Sequence, residues 1–229
     1  MSEELMRSLN QFIGYQFTQS FWDLEDGQRD EILDDLTGVL ERLSEGVYLY
    51  RVFPADGNMD FLIWSASRLQ SELSSAQYFE TYAKELNPYR RYIRAVENLW
   101  GYTGKSTYSR AQSAQEIDPF AGERPTYLVV YPFVKTKEWY LMGRDARQGM
   151  MNEHIRLGKG YPQIKQLLLY SFGVQDQEFV VVYEMDDLPL FSDLVHELRS
   201  TEARRFTELD TPLITATHLK NFEAWRSSC

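Results

Sequence analysis

The chain has 229 residues, 43% of them hydrophobic and 25% charged, enough apolar material for one large domain or two small ones, so disorder is not the default. Its formal charge of −10, from 34 acidic and 24 basic side chains, repels phosphate backbones and anionic head groups, which argues against nucleic acid and membrane as partners. No window is apolar enough for a membrane span, and Met1 to Gln11 lacks the basic-then-apolar order of a signal peptide, so a cytoplasmic protein is expected. The single cysteine, Cys229, is the last residue, which rules out an intramolecular disulfide or a cysteine cluster. The histidines are His154, His196 and His218, so a zinc site would need all three to converge or carboxylates to join them.

In chain order, Ile13 to Phe21 alternates as a strand does, and Asp26 begins an amphipathic helix with Ile32, Leu33, Leu36, Val39, Leu40 and Leu43 at helical spacing. Gly46 stops it, Val47 to Phe53 alternates again, Asp56-Gly57 signals a turn, and Met59 to Ala66 is an apolar run. A helix is expected from about Ser67 to Ala83. Asn98 to Arg124 is rich in turn-forming residues and reads as a linker.

The second half repeats the order. Thr126 to Phe133 is a β-branched and aromatic strand, Arg144 to Lys159 a helix, Ile164 to Phe172 and Glu178 to Glu184 a strand pair around Gly173, and Leu188 to Arg205 an amphipathic helix. Strand, helix, strand, strand, helix is most of a ferredoxin-like unit. The expected class is α+β: two such units, residues 1–105 and 126–229, joined by a linker over 106–125. Their two antiparallel sheets would lie face to face with a cavity between them.

Candidate chemistry is sparse. His154 shares a helical face with Met150, Met151 and Leu157, a face expected to be buried. A lone histidine there is by default a core residue, while the functional alternative is an axial iron ligand. His196 and His218 read as surface residues, and their separations show no metal-ligand pattern. Tyr131 and Lys135, in YPFVK, share a strand face unless Pro132 ends the strand and releases Lys135 to solvent. Asp186-Asp187 reads as a helix cap and Asp23 to Asp35 as a solvated helix face. No GxGxxG, P-loop, HExxH or GxSxG is present.

Taken together, YPFVKTKEWYLM, MMNEH, GKGYPQIKQLLLYSFGV, EMDDLPLFSDLV and ELRSTEARRF resemble the C-terminal half of the chlorite dismutase superfamily, from Tyr127 to Thr207. The resemblance implies a duplicated ferredoxin-like subunit with haem in its second half, assembly most often as a homopentamer, and His154 as proximal iron ligand. It also implies one of two activities. Chlorite-splitting members, which keep haem b as cofactor, carry an arginine where this chain has Gln166, and a neutral amide holds a charged oxychlorine species less well than a guanidinium does. The other branch uses hydrogen peroxide to decarboxylate iron coproporphyrin III (coproheme) to haem b, and YPFVK is similar to its motif. There the tyrosine, here Tyr131, serves as the radical and the lysine, here Lys135, sits at the propionate being processed.

The resemblance further places Arg199 at a propionate; Trp139 and Tyr108 are expected to be cofactor-binding, and the linker residues Lys105, Tyr108 and Arg110 are in position to touch propionates. The glutamate that bonds the proximal histidine in chlorite dismutases falls at Ala203, one position from Glu202, and Arg204 stands where some decarboxylases have a small hydroxyl residue. The expectation is therefore a coproheme decarboxylase. A haem b chlorite dismutase or peroxidase, or a non-catalytic haem-binding protein, are the alternatives.

Overall fold

A computed structural model describes residues 7–108 and 113–226. In chain order the elements are β1 (Ser8–Phe17), α1 (Gln19–Trp22), α2 (Asp26–Leu43), β2 (Gly46–Arg51), β3 (Phe61–Arg68), α3 (Ser74–Leu86), β4 (Ile93–Thr103), β5 (Tyr127–Lys135), α4 (Lys137–Leu141), α5 (Arg144–Gly158), β6 (Lys165–Tyr170), β7 (Phe179–Met185), α6 (Leu188–Arg199), β8 (Thr207–Leu209), β9 (Ile214–Leu219) and α7 (Phe222–Arg226). Short 3-10 turns cover Asn87–Tyr89 and Glu202–Phe206.

Both halves have the ferredoxin-like strand order. The N-terminal sheet runs β4-β1-β3-β2 and the C-terminal sheet runs β6-β7-β5-β9, every pairing antiparallel. Two seams join them, β4 to β6 at Tyr102↔Tyr170 and Thr103↔Leu169, and β2 to β9 from Leu49↔Leu219 to Arg51↔Thr217. The facing sheets are therefore continuous at both edges and close into a barrel. β4 and β9, the strands that make the seams, were not expected from sequence. β4 begins inside a polar stretch whose few buried positions are Ile93, Leu99 and Gly101, and β9 lies in a segment rich in threonine.

The expected cavity between the sheets is absent among the described residues. Phe12, Leu62, Trp64, Leu128, Val130, Leu167, Leu169, Val180 and Val182 fill the interior as one buried cluster. An eight-stranded barrel is just wide enough for side chains, so it packs solid. The end of the linker contributes to this plug. Arg124 and Glu184 form an ion pair at 3.3 Å with both side chains 2% exposed, and Arg124 also donates to the carbonyls of Asp118 at 2.7 Å and Ala121 at 3.0 Å.

Helix ends follow local chemistry. Glu25 and Gln28 form a capping box at the start of α2, and the Asp187 carboxylate accepts from the Leu190 N–H at 3.0 Å to cap α6, as expected. α3 starts later than expected because Ser67 and Arg68 finish β3 and the Ser74 hydroxyl accepts from the Gln70 and Ser71 N–H groups, favouring a turn. α6 stops at Arg199, short of the expected Arg205, where the Thr201 hydroxyl donates to the Leu198 carbonyl at 2.8 Å.

The helical layers differ. On the N-terminal sheet α2 buries Leu33, Leu36, Val39 and Leu43, and α3 buries Tyr78, Tyr82 and Leu86. On the C-terminal sheet α6 buries Phe191 and Leu194 against Val129, Tyr183 and Met185, but α5 buries no residue. No described helix is long and apolar enough to cross a membrane.

Candidate functional site

The alternation of β5 sends Leu128, Val130 and Pro132 into the barrel and turns Tyr131, Phe133 and Lys135 outward, towards the helical layer. Pro132 does not end the strand. It lies opposite Val180, the ladder continues to Phe133↔Phe179, and the pairing with β9 has already stopped at Val130, where one side of the strand can tolerate a missing donor. Beyond it the Lys135 N–H donates to the Glu178 carboxylate at 2.8 Å.

Lys135 is confined. Its ammonium donates to the Ala203 carbonyl at 3.2 Å and lies 4.5 Å from the Trp139 ring centroid and 5.1 Å from that of Phe133. Burial, with the Arg204 cation adding to it and Glu178 opposing, lowers its pKa to about 8. His154 is close enough to feel that ammonium. Burial first, then the Lys135 charge, hold the imidazole down to about 4 against the pull of Glu153, so it is neutral at physiological pH with a ring nitrogen available to a metal.

The face that carries His154 departs from expectation. Met150, Met151, His154 and Leu157 are half-buried, because α5 packs chiefly against α6 and the 3-10 turn, not down onto the sheet. Among the described residues the imidazole makes no hydrogen bond. Glu202 is turned to solvent and pairs with Arg205 at 3.5 Å, while Ala203 is buried and gives its carbonyl to Lys135, so no carboxylate backs the ring.

Tyr131 packs on Tyr183, ring centroids 6.3 Å apart and planes at 25°. Burial, reinforced by Tyr183 and Asp210 and opposed by Arg199, raises the Tyr131 phenol well above its ordinary range, so it keeps its proton. Gln166 lies opposite Tyr183 in the β6–β7 ladder, on the face opposite buried Leu167 and Leu169, and is exposed. Leu168 on the same face is 43% exposed. Arg199 and Arg204 both pair with the Asp210 carboxylate, at 3.1 and 2.5 Å.

Trp139 is buried, with Phe206 at 5.8 Å and Tyr108 at 6.2 Å between centroids. The linker closes over this region: the Gln148 amide donates to the Tyr108 carbonyl at 3.2 Å, and the Gln115 amide donates to the carbonyls of Gly158, Tyr161 and Ile164. Lys105 gives its carbonyl to the Tyr170 hydroxyl and its side chain is exposed; Arg110 lies outside the described residues.

Seven sequence candidates, His154, Tyr131, Lys135, Gln166, Arg199, Trp139 and Tyr108, thus belong to one region, the outer face of the C-terminal sheet and the helices and linker around it. His196 is exposed on α6, as expected. His218 is not a plain surface residue; it is half-buried in β9 with its ring 5.4 Å from that of Tyr50. Sequence reasoning missed Tyr183, which the alternation of β7 could have flagged, and Asp210, Glu178 and Arg147, which no local pattern marks. The region offers a neutral imidazole, a protonated phenol and cations around the part of the sheet face where Gln166 and Leu168 are exposed, which suits a flat metal-bearing ligand with anionic edges.

The chain is similar to a coproheme decarboxylase of Mycolicibacterium smegmatis (strain ATCC 700084 / mc(2)155), at 28% identity over 200 residues that cover 84% of this chain and 83% of that protein. Its fold is similar to chlorite dismutase from Candidatus Nitrospira defluvii in complex with imidazole, with a TM-score of 0.79 and 21% identity over 96% of this chain and 94% of the other. A point variant of that enzyme gives a TM-score of 0.80 at 21% identity over the same shares. The chlorite dismutase family profile matches residues 29–219, and with a fold that agrees from end to end, the chain belongs to the chlorite dismutase family.

Proposed function

We propose that this protein oxidatively decarboxylates iron coproporphyrin III to haem b at the expense of hydrogen peroxide. The observation that carries the reading is the placement of a half-buried, protonated Tyr131 and of Lys135 on one face of β5, in the region of a neutral His154, with the uncharged Gln166 on β6 of the same sheet. The decarboxylase relative supports the same assignment.

An iron porphyrin suits this face because α5 has no fully buried side chain and Leu168, on the outer face of the C-terminal sheet, is 43% exposed. His154 would hold the iron and Arg199 and Lys135 the propionates. When bound, the porphyrin supplies the oxidising power by reacting with peroxide. The remaining work falls to the protein. Lys135 and Arg199 bring a propionate to Tyr131 through charge-assisted hydrogen bonds. The Tyr131 Oη retains its hydrogen until oxidation removes it, and the phenoxyl so formed takes a hydrogen atom from the propionate β-carbon. Carbon dioxide then leaves and a vinyl group remains; the two electrons lost from each propionate are those that one peroxide accepts. Gln166 can offer its amide to a neutral oxidant but no fixed positive charge to chlorite.

Tyr131→Phe tests this directly. The variant is expected to bind coproheme as the wild type does and to release no carbon dioxide when peroxide is added. Undiminished carbon dioxide release would remove Tyr131, and the mechanism with it.

A further inference from the structure

Arg147 lies two turns before His154 on the same face of α5, a separation of about 10 Å along the axis. Its Nε is buried and has no hydrogen-bond partner among the described residues, and no described carboxylate pairs with it. The other cations of the pocket are engaged: Arg199 and Arg204 share Asp210, and Lys135 donates to the Ala203 carbonyl. A guanidinium with a buried, unsatisfied donor is costly unless an anion completes it. Its surroundings fit a site. The Tyr140 phenol feels the Arg147 charge together with Tyr108, and the neighbouring Gln148 ties Tyr108 and the linker to this end of α5.

Building on the proposed coproheme reading, we propose that Arg147 binds a carboxylate of the porphyrin at the rim where Tyr140 of α4, the start of α5 and Tyr108 meet. Arg199 and Arg204 stand on another rim, against Asp210. Cations at two edges of a macrocycle ligated through its centre fix its rotation about the iron, and that rotation decides which propionate comes to Tyr131.

The test is a spectrophotometric titration of wild-type protein, Arg147→Gln and Arg147→Lys with iron coproporphyrin III and, in the same detergent, with its tetramethyl ester. The Gln variant is expected to bind the tetra-acid about tenfold more weakly than the wild type, the Lys variant to fall between, and all three to bind the ester alike. The spectrum of the iron–imidazole bond should be the same throughout, and ligand-free Arg147→Gln should melt no lower than the wild type, since it loses an unsatisfied donor. Equal affinities for the tetra-acid, or the same loss for the ester, would overturn the assignment of Arg147. Failure of the wild type to bind the tetra-acid at all would instead overturn the underlying reading, and is visible before any variant is compared.

Discussion

The two halves of the molecule share one topology and use it in opposite ways. In the first, α2 lays Leu33, Leu36, Val39 and Leu43 on the sheet and seals it, and the phenols beneath the helices are partnered, Tyr15 with Tyr82 and Tyr78 with Ser65 and Gln11. In the second, the corresponding helix α5 presents Arg147, Met150, Met151, His154 and Leu157 and leaves all five only half-buried. It is held from its sides by α6, the 3-10 turn and the Gln115 amide. The same fold makes a core when the helix is apolar and leaves the helix face half-exposed when the helix carries charge and an imidazole.

The largest effect should come from the residue that most distinguishes α5. His154→Ala is expected to erase the iron–imidazole absorption signature and to weaken coproheme binding by more than the ~100-fold typical of losing an outer partner of a metal ligand. An unchanged spectrum would put the ligand elsewhere. The contrast can next be measured as stability. Leu36→Ala should cost about 2–5 kcal/mol in urea unfolding. Leu157→Ala in ligand-free protein should cost under about 1 kcal/mol, since the residue is only half-buried. Equal costs would mean that both helices are sealed.

Lys135 sharpens the comparison through pH. Its pKa of about 8 means that its charge, and with it the attraction for a carboxylate, is present below that value and lost above it. Coproheme affinity should fall between pH 7 and 9 in the wild type and lose that pH dependence in Lys135→Met. The smallest effect concerns ligand-free stability in acid. His154 titrates near 4 when folded against an ordinary value of 6.5, so the unfolded chain binds the extra proton. Stability should therefore decline as pH falls from about 6.5 to about 4, less steeply in His154→Asn.

Much of this arrangement is legible in the sequence because it rests on short-range periodicity. Tyr131 and Lys135 fall on one strand face by spacing once Pro132 is seen not to end the strand, and the start of α5 and the capping of α6 by Asp187 follow from local residue chemistry. What escapes are features created by closure. β4 and β9 are each paired on both sides, β4 with β1 and β6 and β9 with β5 and β2, which no local pattern signals, and the expected cavity between the sheets is filled because large side chains such as Phe12 and Trp64 meet inside the barrel. Asp210 gathers Arg199 and Arg204 across a turn, and Arg147 is distinctive only because no acid reaches it.

The most direct test is to load the purified protein with iron coproporphyrin III, add hydrogen peroxide in steps and follow the porphyrin by mass spectrometry. Successive loss of two carboxyl groups, ending at haem b, is the predicted result. Intact coproheme, together with dioxygen release from chlorite when haem b is supplied instead, would contradict it and make Gln166 a chlorite-compatible residue.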